Sequence, residues 1–151
     1  MGWSKPIRST LLLAAMLIAS GCAMDNSYQN REQAEANRNI GEAYLRQGNY
    51  SAAMAEFVKA EKLNPDDPYL KNDMGLVFLA RKRYPEAIDY FRQATALKPD
   101  FAPALNNLGS AYLATRNWDA AIEAFKEISN NMLYATPHYP LANLGLAYYH
   151  K

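Results

Sequence analysis

Cysteine is all but missing from this chain: Cys22 stands alone among 151 residues, so no disulfide can form within it. Histidine is nearly as scarce. His138 and His150 fit no metal-ligand spacing such as His-Glu-x-x-His, and no metal or cofactor is expected. Excess charge is missing too. Lys5 and Arg8 sit near the N-terminus, and without them 14 basic side chains face 15 acidic ones. That balance lacks the basic footprint of a nucleic-acid binder, so no nucleic-acid partner is expected. The glycines form no phosphate-cradling loop. No apolar run reaches the ~20 residues that span a bilayer. The pair Asp66-Asp67 lies where a turn between helices is expected, and reads as a solvated cap rather than as a catalytic dyad. No catalytic constellation is present, and the chain is not expected to be an enzyme. What it has in quantity is apolar side chains, half of all residues, enough for a packed core rather than disorder.

The apolar stretch Thr10–Ala19 follows the short basic head Trp3–Arg8. Its length is that of a signal-peptide core. Ala19-Ser20-Gly21-Cys22 comes next, and small residues there let an extended backbone enter a peptidase site. The segment resembles a lipobox, the bacterial lipoprotein signal, with Ala19 where leucine is usual. The resemblance implies a signal peptide over 1–21 and a Cys22 that carries lipid, palmitate included. It also implies sorting to the outer membrane, because Ala23 rather than Asp follows the cysteine. The anchor would then rest on two or three acyl chains, which holds a protein stably at a membrane. Met24–Asn30 is polar without an apolar period, so 22–33 reads as lipidated N-terminus and tether.

Beyond it the chain repeats itself. Gly41, Gly75 and Gly109 are 34 apart, as are Ala53, Ala87 and Ala121, and Phe57, Phe91 and Phe125. Tyr50, Tyr84 and Trp118 keep the same phase, as do Tyr44, Phe78 and Tyr112, and Leu63-Asn-Pro65 recurs as Leu97-Lys-Pro99. A 34-residue period of this kind resembles tetratricopeptide repeats. The fold class expected is all-α, a right-handed solenoid of antiparallel helix pairs with three repeats and one further helix. The units are 34–67, 68–101, 102–137 and a partial 138–151. The repeat glycine lets the second helix approach the first. The alanines lie opposite it, and the phenylalanines fill the space between units. Ser51, Pro85 and Asp119 share a phase at the start of each second helix, where Ser and Asp serve as N-caps and Pro suits the first turn. Pro65 and Pro99 stop the second helices. In the third unit the stop moves to Pro137, and Gly145 follows Gly109 by 36 residues. The last helix has no second helix to pair with, which points to a piece of a longer protein or to another surface covering that face.

In tetratricopeptide repeats the first helices line a concave groove, and the resemblance implies which positions face it. They are Glu35, Arg38, Glu42, Leu45 and Arg46 in unit one, and Tyr69, Asn72, Leu76, Leu79 and Ala80 in unit two. Unit three supplies Pro103, Asn106, Ser110, Leu113 and Ala114, and the partial unit Tyr139, Ala142, Leu146, Tyr149 and His150. Members that bind chaperone tails hold a C-terminal carboxylate with lysine, arginine and asparagine; Glu42 and Leu76 do not match that clamp. What remains is an apolar strip with flanking amides, suited to an extended or helical peptide. The residues expected to bind protein are Tyr69, Asn72, Leu76, Leu79, Asn106, Ser110, Leu113 and Tyr139. Inter-helix packing of the leucines and helix-stabilising bonds of the asparagines are the competing readings.

A leader ending at Cys22, repeats soon after it, and Leu133–Pro137 ahead of Asn143–Tyr149 together resemble the pilotins, lipoproteins of type IV pilus biogenesis. That resemblance implies an outer-membrane lipoprotein on the periplasmic face whose partner is the pilus secretin, and whose task is to assist its assembly. Two alternatives stay open: a general periplasmic scaffold lipoprotein, and the repeat part of a larger enzyme.

Overall fold

The computed structural model describes residues 7–130 and 138–151, with side chains over 26–128 and 141–151. Cys22 and Tyr139 lie outside the described side chains, and Pro137 lies outside the described residues altogether. Seven helices make up the described part: α1 (Ile7–Arg46), α2 (Tyr50–Leu63), α3 (Pro68–Ala80), α4 (Tyr84–Leu97), α5 (Ala102–Ala114), α6 (Trp118–Asn130) and α7 (His138–His150). No strand occurs among the described residues. The helices pack as the pairs α1–α2, α3–α4 and α5–α6, with α7 against α6. Each second helix also meets the next first helix, and successive first helices touch. This is the all-α solenoid of helix pairs that the 34-residue period predicts.

The segment 22–33, expected to be a tether, runs as helix within α1. Its Gln, Glu, Arg and Ala are good helix formers. Extending a helix that packing has already nucleated also costs far less than starting one. No helix among the described residues is long and apolar enough to cross a membrane.

Gly41, Gly75 and Gly109 sit where the period puts them, each under a phenylalanine of the paired helix. A methyl group added at Gly75 would stand 2.5 Å from Phe91 Cε1, and one at Gly109 2.5 Å from Phe125 Cε1. At Gly41 it would collide with the Phe57 ring. All three phenylalanines and the alanines Ala53, Ala87 and Ala121 are fully buried. Each phenylalanine contributes on the order of 1.5–3 kcal/mol by leaving water. One core cluster gathers Phe57 with Leu70, Met74 and Val77, and a larger one runs from Ala87 and Phe91 to Ile128 and Ala147.

The two helices of a pair are joined by the same turn three times over. The N–H of Asn49 donates to the Tyr44 carbonyl, that of Arg83 to Phe78 and that of Asn117 to Tyr112, each at 2.9 Å. One residue earlier, Gly48, Lys82 and Arg116 hold φ of 74°, 57° and 59°. This is the left-handed C-terminal motif that closes a helix by reaching back over its last turn. Only the first unit spends a glycine on it.

The cap of α2 differs from the expectation. Asn49, not Ser51, is the N-cap, its side chain accepting from the Ala52 N–H at 3.2 Å. Ser51 lies inside the first turn because α2 begins one residue earlier, at Tyr50. Asp119 is likewise inside the first turn of α6, where a carboxylate complements the positive helix end. Pro85 occupies the first turn of α4. The helices α2 and α4 end two residues before Pro65 and Pro99, with Asn64 and Lys98 already non-helical.

Candidate functional site

Because successive first helices touch, their equivalent residues meet across units. Asn107 Nδ2 donates to Asn72 Oδ1 at 2.9 Å, and Asn143 Nδ2 to Asn106 Oδ1 at 3.4 Å. In the first junction charge replaces amide: Arg38 Nη1 donates to Asp73 Oδ2 at 3.3 Å. A line of polar contacts thus runs from α1 through α3 and α5 to α7. Asn72 is buried, and its Nδ2 lies 3.4 Å from Asp73 Oδ1. An amide has two N–H donors and an oxygen with two lone pairs. Neighbouring units therefore hold both amides in place, Asn72 buried in the junction and Asn106 half-buried beside it.

The position beside each of these asparagines was missed from sequence. Asp73, Asn107 and Asn143 complete the cross-unit bonds, yet only their partners Arg38, Asn72 and Asn106 fell among the groove positions. A signal existed: Asn107 and Asn143 are 36 apart, the same offset as Gly109 and Gly145.

Arg38 gathers the acid side chains at the first junction. Its Nη1 lies 2.9 Å from Glu42 Oε1, and its guanidinium stands 5.5 Å from the Tyr69 ring centroid. Its Nε is 3.8 Å from Asp67 Oδ2 and is buried without a hydrogen bond. Asp67 itself caps α3, accepting the Tyr69 N–H at 2.9 Å. Asp73 takes the electrostatic consequence. Burial first, and the Glu42 carboxylate second, push its carboxyl from 3.8 up to about 7 against the pull of Arg38. Among the described residues, no group of three His, Cys, Asp or Glu side chains is arranged to hold a metal ion.

The other expected binding residues fall into two groups. Leu76, Leu79 and Leu113 are partly buried and pack on the larger core cluster. They thus take part in inter-helix packing while keeping some surface. Tyr69 is 43% exposed. Its hydroxyl meets Lys98 Nζ at 2.9 Å, and its ring meets Phe101 edge-on at 4.9 Å. Ser110 is half-buried, its hydroxyl donating back to the Asn106 carbonyl at 2.8 Å. The arrangement suits recognition: an aromatic rim, partly exposed leucines and fixed amides.

A family model described as tetratricopeptide repeat matches residues 72–140, and one described as TPR repeat matches 41–80. No curated protein matches the chain. Among solved structures, pilF of Pseudomonas aeruginosa is 26% identical with a TM-score of 0.74; the alignment covers 79% of this chain and 54% of that one. This chain thus spans about half the length of that protein. The TPR2B domain of yeast Sti1, solved as a pHsp70 complex, is 18% identical with a TM-score of 0.74, covering 80% of this chain and 99% of that one. The first TPR domain of human RPAP3 is 18% identical with a TM-score of 0.72, covering 80% and 93%. Repeat period, helix pairing and family models agree, and over residues 41–140 the chain is a tetratricopeptide-repeat protein.

Proposed function

We propose that this chain is a lipid-anchored adaptor of the outer membrane, of the pilotin kind. Its first-helix face binds a segment of a type IV pilus secretin subunit and holds it at the membrane while the pore assembles. The observation that carries this reading is the likeness to Pseudomonas pilF in both sequence and fold. The leader ending in Ala-Ser-Gly-Cys22 supports the anchor, and Ala23 supports the outer membrane. A tether also raises the local concentration of what it holds, so modest affinity in the groove suffices.

The groove chemistry separates this chain from its chaperone-binding neighbours. One of those is solved with the HSP90 peptide SRMEEVD, whose end is acidic. Here Glu42, Asp67 and Asp73 surround Arg38, and Glu42 also pairs with Arg46; the three acidic side chains oppose such a tail. Partly exposed leucines and amides favour an apolar peptide instead.

The test is secretin multimer formation in cells whose protein carries Leu76→Glu and Leu113→Glu. A charge in a desolvated contact costs several kcal/mol, so multimers are expected to fall. Both leucines also pack on the larger core cluster, so a second variant, Tyr69→Ala with Ser110→Lys, changes two residues outside that cluster. Normal multimers with both variants at normal protein levels would rule out the groove. Mass spectrometry of membrane-extracted protein tests the anchor: an unmodified Cys22 thiol in the mature species would remove it.

A further inference from the structure

The chain as a whole is nearly neutral, but its turns are not. Bonds between equivalent residues of neighbouring first helices, Arg38 to Asp73 and Asn107 to Asn72, set those helices side by side in one direction. The turns that close α1, α3 and α5 therefore fall in a row on one edge of the solenoid. Unit two places Arg81, Lys82 and Arg83 there and unit three Arg116, and no acidic residue stands in any of the three turns. The turns between units carry the opposite sign, with Asp66, Asp67 and Asp100; Lys98 among them is bonded to Tyr69. Arg83 pairs with Glu86. Arg81, Lys82 and Arg116 are exposed, and no carboxylate among the described residues pairs with them.

Two of these three cations sit where a side chain is least welcome. Lys82 and Arg116 hold φ of 57° and 59°, and the equivalent residue of unit one is Gly48. Glycine takes that conformation freely, whereas a residue with a Cβ is strained in it. The turn does not require the cation, because unit one closes with the same backbone bond and no side chain. The helix end does not require it either. Arg81 already brings positive charge to the C-terminus of α3 from an ordinary backbone, with φ of −85°. Strain kept at an exposed position calls for a reason outside the fold.

We propose that Lys82 and Arg116, with Arg81 beside them, form a docking edge for an acidic segment of a partner protein. Helices α3 and α5 touch, and packed helices lie about 8–10 Å apart. Carboxylates seven residues apart on a helix share one face at about 10.5 Å, so such a segment meets both cations at once. The other anionic surface to consider is a membrane. Cys22 and Arg46 belong to one helix, with about 36 Å of axis between them, so a bilayer holding Cys22 lies beyond the opposite edge. That orientation rests on the anchor reading; the basic edge does not, and its test needs neither membrane nor secretin.

The experiment uses the full, isotope-labelled chain in uncharged detergent and a synthetic helical peptide with Glu-Glu pairs seven residues apart. A control peptide has glutamine in their place. Saturable shifts of the Lys82 and Arg116 amides are expected with the acidic peptide alone, and affinity should fall as salt rises. Lys82→Gly with Arg116→Gly should weaken binding about tenfold. The same variant should melt at an unchanged or higher temperature, because the turn is relieved of strain. Lys82→Arg with Arg116→Lys should keep the binding. Absence of saturable shifts would overturn the proposal, as would shifts centred on Asn72 and Asn106, which place the peptide in the groove. A double glycine variant that melts lower would make the two side chains part of the fold and overturn it too. Cosedimentation with phosphatidylglycerol vesicles, lost in that variant, would make an anionic membrane the occupant and overturn it as well.

Discussion

A glycine inside a helix costs about 1 kcal/mol against alanine, yet this chain keeps one in every first helix. At Gly75 the reason is the Phe91 ring, and at Gly145 none of the described residues stands over the position. Opposite outcomes are expected for one substitution. Gly75→Ala forces the buried ring aside and lowers stability by about 1–2 kcal/mol, overpacking outweighing helix propensity. Gly145→Ala meets none of the described residues and raises stability by about 1 kcal/mol. Denaturant unfolding of both measures it, and equal signs would remove the close-packing role. Asp73 yields a pH prediction. Its folded value of about 7 lies above its ordinary 3.8, so the folded chain keeps a proton that the unfolded chain has lost. The stability it contributes is complete below about 3.8 and is lost as pH rises through about 7. Asp73→Asn should therefore raise the Tm more at pH 8 than at pH 5. No difference between the two would show that Arg38 fully compensates the buried charge. The glycine and phenylalanine phases were legible in the sequence because one residue type recurs at one spacing. The Arg38–Asp73 bond was not, because its partner lies in the next unit and a lone aspartate on a helix looks like any solvated one.

At the scale of the helix and its turn, physical need and residue identity part company. The left-handed turn residue is Gly48 once, then Lys82 and Arg116, so no glycine phase announces it. A side chain there costs about 1–2 kcal/mol of backbone strain. Gly48→Ala is expected to lower stability by about 1 kcal/mol. Lys82→Gly should leave stability unchanged or raise it, because relief of strain offsets the extra freedom of the unfolded chain. Thermal unfolding of both variants checks this, and a clear loss with Lys82→Gly would contradict it. The start of α2 was misjudged by a similar mechanism. Ser51 and Asn49 are both good caps, and the sequence does not say which of two neighbouring caps the chain uses. The polar stretch of 22–33 has no apolar period, yet joins α1 through helix propensity and an already packed neighbour.

Across the whole molecule, each helix touches its neighbours in order and little else, the behaviour expected of a quasi-one-dimensional array. Helix α5 is held by α3, α4, α6 and α7, whereas α7 is held by α5 and α6. Native-state hydrogen exchange should therefore be faster in α7 than in α5. Equal protection would mean that α7 is held as firmly as an internal helix. The sequence period predicted this architecture because every unit solves the same packing problem. The candidate groove was only partly legible, since leucines at Leu76, Leu79 and Leu113 serve packing and exposure at once and no spacing separates the two. The cross-unit bonds of Arg38, Asn107 and Asn143 span only 35 or 37 residues. Contacts so close along the chain form fast. They also give folding a direction in time: a unit can settle once the next one has emerged, with no distant segment to await. A pause partway through synthesis would then leave a shorter folded array rather than a tangle.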